Sequence, residues 1–299
     1  MIWPLLMSNE GKIMAHINAL FVIVPSADTP AIVSNESYAP ASLTQEGFIH
    51  ACEYHQVDDV VSQFFTDQSA LSLLVIDPTL LDAEVRYEAP SLSMNSTDLF
   101  AHIYGVLNRD AIVDVCELVH FKHQPITPQV MAVLRHYRFE RLPVESTLFK
   151  STWRSSCNNT LGEPVGTAMI GLYCDSLTSI SCFHKLTFDE VWHFYGGDPL
   201  ELTLLYPDGR SEQVVLGADF ANGQVCQYRI PAGVWQGGCL VEGGQYALFG
   251  CTMAPGFTGS CFTAGVADAL IEAYPNEEKI IKKLSVNGHQ TTMPDGFAT

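Results

Sequence analysis

Phe183-His184-Lys185-Leu186-Thr187-Phe188-Asp189-Glu190-Val191-Trp192-His193-Phe194-Tyr195-Gly196-Gly197-Asp198-Pro199 sets two histidines and two carboxylates among aromatic residues, ahead of a Gly-Gly pair. Glu190, Trp192 and Phe194 alternate with Asp189, Val191, His193 and Tyr195, so the run reads as a strand, a short turn and a second strand. Parity then puts Glu190 on one face and His193 on the other. Imidazole and carboxylate projected from neighbouring strands into a barrel mouth can bind a divalent metal, or act as general acid and base on a small ligand.

The spacing resembles the first motif of the cupin superfamily, G-x5-H-x-H-x3-4-E-x6-G, whose His and Glu residues bind a metal inside a small β-barrel. His184, Glu190 and Gly197 match the first His, the Glu and the closing Gly, but Leu186 stands at the second His. The second motif, P-x-G-x-x-H, is similar to Pro231-Ala232-Gly233-Val234-Trp235-Gln236, with Gln236 at the last ligand. One His, one carboxylate and one amide make a weak transition-metal site unless His193 turns inward. The alternative metal set is therefore His184, Glu190 and His193. Across about 124–284 the longer pattern Asp189 to Phe194, Gly197 to Leu200, Pro231 to Gln236 and Gly250 to Phe257 resembles one uncharacterised cupin family, in which Gln is usual at Gln236. Leu142-Pro143-Val144-Glu145 and Thr152-Trp153-Arg154-Ser155 are similar to its HPEGG…TYRS run, with Ser146-Thr147 in place of Gly-Gly. The resemblance implies an all-β jelly-roll barrel with His184 and Glu190 as catalytic residues and Trp192, Gln236 and Glu145 as ligand contacts. Cupins lacking a full ligand set include sugar epimerases in which a His abstracts a proton without metal. Metal-free epimerase or isomerase chemistry on a sugar- or nucleotide-like metabolite is thus the first expectation, with a non-catalytic ligand sensor and a metal-dependent cupin as alternatives.

At 299 residues the chain accommodates two domains, each with its own core. A net charge of −18, from 15 Lys+Arg against 33 Asp+Glu, repels phosphate backbones and anionic lipid, so neither nucleic acid nor membrane is an expected partner. The nine cysteines are scattered singly without a C-x-x-C pair and read as reduced, buried, small hydrophobes of a cytoplasmic protein, Cys174, Cys226 and Cys251 among them. No apolar run is long enough to span a bilayer, and the first residues lack the pattern of a secretion signal.

Upstream, residues 17–24 read as a strand, 56–65 as an amphipathic helix from Val57, Val60, Val61 and Phe64, and 71–76 as a buried strand. Arg86-Tyr87-Glu88, Phe100 to Gly105 and 111–118 continue a β-rich segment. The runs from Tyr38 to Leu43, Glu46-Gly47-Phe48-Ile49-His50 and His102-Ile103-Tyr104-Gly105 resemble a second uncharacterised family, similar in fold to the ADP-ribosyltransferase-like split sheet of RNA 2′-phosphotransferases. That resemblance implies an α+β domain and an NAD-like ligand, with His50 and His102 catalytic and Tyr38, Arg86, Glu88 and Tyr104 binding. On physical grounds His50 and His102 each end an apolar run, where a strand hands over to a loop and side chains can converge. Arg86 and Glu88 share a face by parity, and their pairing with each other is the bland alternative.

The expected organisation is an ADP-ribosyltransferase-like α+β domain at 17–119, a polar linker at 120–127, a cupin barrel at 128–284 and a disordered tail at 285–299. Thr127-Pro128 reads as an N-cap with Pro at the first helical position. The cofactor is open, a divalent metal in the barrel being disfavoured. A homodimer through the cupin domain is the assembly this reading allows.

Overall fold

The computed structural model describes residues 18–66, 70–90, 98–285 and 290–298. Ile17 and the end of the tail lie outside them. The first third is mixed α/β, built on two three-stranded antiparallel sheets and a two-stranded pairing of Ser37–Tyr38 with Leu107–Asn108. One orders Leu20–Pro25, Leu71–Ile76 and Ile112–Glu117, with the fully buried Leu71–Ile76 strand in the middle. The other orders Ile49–Ala51, Phe100–Tyr104 and Glu84–Glu88. They meet where Phe21 and Cys52 bridge backbone to backbone at 2.9 Å. The helix expected from the valine spacing runs Val57–Phe64 and lays Val57, Val60 and Val61 on the core.

The remainder is dominated by a pair of antiparallel sheets, as alternating strands with Gly/Pro turns predict. The six-stranded sheet places Glu190–Gly197 beside Tyr246–Met253, and the five-stranded sheet places Ser181–Leu186 beside Trp235–Leu240. Their facing sides enclose Tyr173, Trp192, Leu202, Leu204 and Phe249. Phe249 stacks on Trp192 at 4.8 Å because Gly171 yields its place: a Cβ there would lie 2.3 Å from the Phe249 ring. Strand parity fixes the interior. Glu190 and Trp192 are buried, whereas Val191 and His193 are half-buried on the other face.

Two expectations about organisation need correction. Residues 120–127 are not a weakly anchored polar tether, because Phe121 and Ile126 are only 5% and 3% exposed. They join a cluster that runs from Phe21, Leu73 and Val113 through Val130, Met131 and Leu134 to Leu148, Leu172 and Cys174. The helix Pro128–Tyr137, capped by the Thr127 side chain accepting from the Val130 N–H, sits inside that shared core. Arg138 ties it to the first third by donating to the carbonyls of Ile112 (2.8 Å) and Asp110 (2.7 Å). Composition marked the segment polar, but two apolar side chains at the right spacing suffice to bury it.

The tail was expected to be disordered, yet residues 290–298 lie on the barrel. The Ala264 N–H donates to the Thr291 carbonyl at 2.8 Å. Met293 is buried with Leu186, Met253 and Phe262, and Phe297 packs on the same group. The cysteine reading holds for Cys174 and Cys251, which are buried, and fails for Cys157 and Cys226, which are exposed. No helix among the described residues is long and apolar enough to cross a membrane.

Candidate functional site

Strand register brings four of the sequence-marked residues together inside the barrel. His184 stands opposite Gln236 on the five-stranded sheet, while Trp192 stands opposite Cys251 on the six-stranded one. All four are buried, as is Glu190. The Trp192 indole N–H donates to Glu190 Oε2 (2.9 Å) and Gln236 Oε1 (3.0 Å). The Gln236 amide donates to the same Glu190 oxygen at 2.9 Å. Glu190, Trp192 and Gln236 thus form a closed triangle linking the two sheets, and the amide that replaces a ligand histidine is spent on a carboxylate. Burial pushes the Glu190 carboxyl up from its ordinary value and nearby Glu145 adds to that, against the opposing pull of His184 and of the two donors.

His184 is held from both sides. Its ring stacks on Phe262 at 5.2 Å, and Nδ1 lies 2.8 Å from the Cys182 carbonyl. A carbonyl only accepts, so Nδ1 carries the proton and a neutral ring keeps its lone pair on Nε2. Nε2 faces Glu145 Oε2 at 4.0 Å. Glu145 comes from the loop between the Glu140–Arg141 and Leu148–Arg154 strands, where Val144 and Ser146 both adopt positive φ, 67° and 78°. A β-branched residue in that region is strained, and the loop is held there by Arg141, which donates to the Ser146 carbonyl at 2.7 Å. The Thr147 hydroxyl donates to Glu145 Oε1 at 2.7 Å. Departure from Gly-Gly at Ser146-Thr147 therefore leaves Glu145 in place and adds a hydroxyl that orients it.

These groups line a cavity of about 110 Å³, walled by Leu142, Phe149, Met169, Leu186, Met253 and Phe257. Arg154 lines it too, and donates to the Phe257 carbonyl at 3.0 Å. Cys251, read from the sequence as a buried small hydrophobe, lines the cavity too, and sequence reasoning missed Thr147 and the tail residues Phe297 and Ala298, which also line or support it. Burial pushes the Cys251 thiol well above its ordinary value, with Glu190 and Glu145 adding to it. Only Phe297 left a trace, as a large aromatic in a polar run.

The alternative metal set is not assembled. His193 lies on the opposite face, with Nε2 2.7 Å from the Thr252 hydroxyl and Nδ1 3.1 Å from the Gln227 amide. Leu186, at a ligand position, is packed with Phe262 and Met253 instead. Among the described residues no group of three or more His, Cys, Asp or Glu side chains is arranged to hold a metal ion. The donor set does not fit one.

The first third gathers a second cluster with similar side chains. His50 and His102 are cross-strand partners with rings 5.5 Å apart, and Arg86 stands opposite His102 on the other side. Glu88 accepts from His102 Nδ1 (2.7 Å) and the Tyr104 hydroxyl (2.8 Å), and these two bonds hold its carboxyl below the ordinary value. Arg86 pairs with Glu84 at 2.6 Å, not with Glu88, and lies 4.2 Å over the Tyr104 ring. Phe48, which was not singled out, stacks on His102 at 4.0 Å. His50 is more than half exposed beside Glu46. Tyr38 packs against the apolar cluster of the first sheet, and burial, then Asp28, pushes its hydroxyl up. It is not brought to the histidines by any contact among the described residues. Glu46, Glu84 and Glu88 outnumber the single guanidinium gathered there. That balance opposes a pyrophosphate.

Comparison with known proteins places these two clusters in two matched regions. An uncharacterized protein of Saccharomyces cerevisiae is 30% identical over 81 residues, 26% of this chain, and the chain spans 40% of that relative's length. A crystal structure of a Shewanella oneidensis protein is 29% identical, covering 52% of this chain and 97% of its own, with a TM-score of 0.49. A Caulobacter crescentus protein is 21% identical over 38% of this chain and 98% of its own, with a TM-score of 0.30. Residues 23–115 match the family described as protein of unknown function (DUF952). Residues 131–264 match the family described as Cupin superfamily (DUF985), and the His184, Glu145 and Glu190 cavity is built largely from that matched region.

Proposed function

We propose that the barrel binds a small polar, sugar- or nucleotide-like metabolite and moves a proton on it without a metal. The observation that carries this reading is the convergence of the buried His184 Nε2 with the buried Glu145 carboxylate, 4.0 Å apart, in the cavity that Glu190 also lines. An imidazole with its Nδ1 proton committed to Cys182 presents Nε2 as a general base. It takes a proton from a carbon acidified by an adjacent carbonyl. Glu145 stabilises the imidazolium that forms, oriented by the Thr147 hydroxyl. The Glu190 carboxyl, shifted toward its protonated form by burial, donates to the oxygen on which charge develops. Return of the proton by the same imidazole to a neighbouring atom gives an isomer, whereas an epimer requires a second acid that delivers a proton from the opposite face.

The test incubates the protein with a panel of nucleotide sugars in heavy water and follows mass gain. A gain of one deuteron on one sugar, abolished in His184→Gln and kept in His102→Gln, supports proton transfer in the barrel. Tight binding of a sugar without exchange would favour the non-catalytic sensor, the second reading, which the spent Gln236 amide also suits.

A further inference from the structure

The cavity is too small for the ligand it is suited to. Sites for metabolites of nucleotide or sugar-nucleotide size run about 300–1,000 Å³. This one is about 110 Å³, and Phe297 and Ala298 of the tail form part of its wall. The Phe297 ring sits 6.2 Å from Phe149 and 6.4 Å from Phe257, the latter edge-to-face. Both of those side chains line the cavity. Aromatic rings at such spacings form a niche that takes a flat ring. The same cavity is lined by His184, Glu145 and Glu190, so a ring held by the aromatic side chains shares it with the polar groups.

Of residues 290–298 Met293 is buried and Phe297 is half-buried, and the Ala264 to Thr291 bond is a backbone tie to the barrel. The tail passes close over Gly259, where a Cβ would lie 2.7 Å from the Phe297 carbonyl oxygen. Gly259 has no left-handed conformation, so what an alanine there would meet is the tail itself.

Building on the proposed metabolite reading, we propose that the Phe149–Phe257 niche is the subsite for a planar ring of the ligand, and that Phe297 fills it until the ligand displaces the tail. The subsite takes a flat heteroaromatic or aromatic ring joined to a hydrogen-bonding group. Arg154, at the cavity wall, is placed to meet an anionic substituent of such a molecule.

Cys251, inside the cavity, reports whether the mouth is open, and Cys174, buried in the shared core, reports general loosening. The full chain is treated with iodoacetamide at mildly alkaline pH and the modified peptides are quantified by mass spectrometry. Phe297→Ala and Gly259→Ala should each raise the Cys251 rate at least about tenfold while Cys174 stays constant, because local opening alone has changed. Millimolar indole, used as the ring probe, should reverse that rise in Phe297→Ala. An unchanged Cys251 rate in both variants, a parallel rise at Cys174, or a rise that indole does not reverse would each overturn the proposal. The readout is thiol alkylation and not turnover, so the outcome is independent of whether the barrel is catalytic.

Discussion

The two histidine–carboxylate clusters use nearly the same side chains and reach opposite electrostatic states. In the barrel, Glu190 is buried and its carboxyl is pushed up. In the first third, Glu88 is 41% exposed and its carboxyl is held down by His102 and Tyr104. The barrel histidine is 4% exposed and faces a buried carboxylate, while His50 is 56% exposed beside a solvated one. Residue types therefore mark where polar groups gather. Enclosure decides the direction in which they are perturbed, because desolvation penalises the charged form only where water is excluded.

The contrast breaks if the barrel aromatics do not enclose the site. Trp192→Ala removes an indole that packs on Phe249 and bonds Glu190 and Gln236, and should cost about 3–5 kcal/mol in denaturant unfolding. Phe48→Ala, which removes the half-buried ring stacked on His102, should cost only about 1 kcal/mol. Equal losses would show that the two clusters are equally enclosed.

The two regions share a core and are expected to unfold together. Leu134, fully buried between them, should cost about 2–4 kcal/mol on truncation to Ala. Both halves should then melt earlier in one transition, read by tryptophan fluorescence and by hydrogen exchange at the Leu71–Ile76 strand. Two separated transitions would mean that the shared cluster does not couple them.

Much of this was legible in the sequence. Period-two alternation located the Glu190–Gly197 strand and put His193 on the far face, and the valine spacing located the Val57–Phe64 helix. His184, Glu190, Trp192, Gln236 and Glu145, each quoted from a motif, come together inside the barrel. What the sequence hid was long-range. Nothing local to Phe121 or Ile126 says that a strand 50 residues upstream and another 45 residues downstream will bury them, although both do. Likewise Phe297 lies in a run too polar to suggest a docked segment, and its anchor is a niche built by distant residues. Arg86 shows the limit of parity: it shares a face with both Glu84 and Glu88, and the partner is chosen by His102 and Tyr104 having already engaged Glu88.

The smallest effect concerns pH. Glu190 has a folded-state value above its ordinary 4.5, so the folded protein holds that proton more tightly than the unfolded chain. Its contribution is favourable below that value and is lost as pH rises through the folded value. Glu190→Gln keeps an acceptor for Trp192 without the charge, and should stabilise by about 1–2 kcal/mol near pH 8 and by nothing near pH 4. For Glu88 the sign reverses: its pairing stabilises above the ordinary range and is lost as pH falls through the lowered folded value.

Carboxyl carbon NMR of the protein labelled at glutamate Cδ, with Glu190→Gln and Glu88→Gln used to assign the two resonances, tests the contrast most directly. The account predicts that the Glu190 carbon titrates above 4.5 and the Glu88 carbon below it. Two resonances titrating together, or Glu190 titrating below Glu88, would contradict the claim that enclosure sets the barrel site apart.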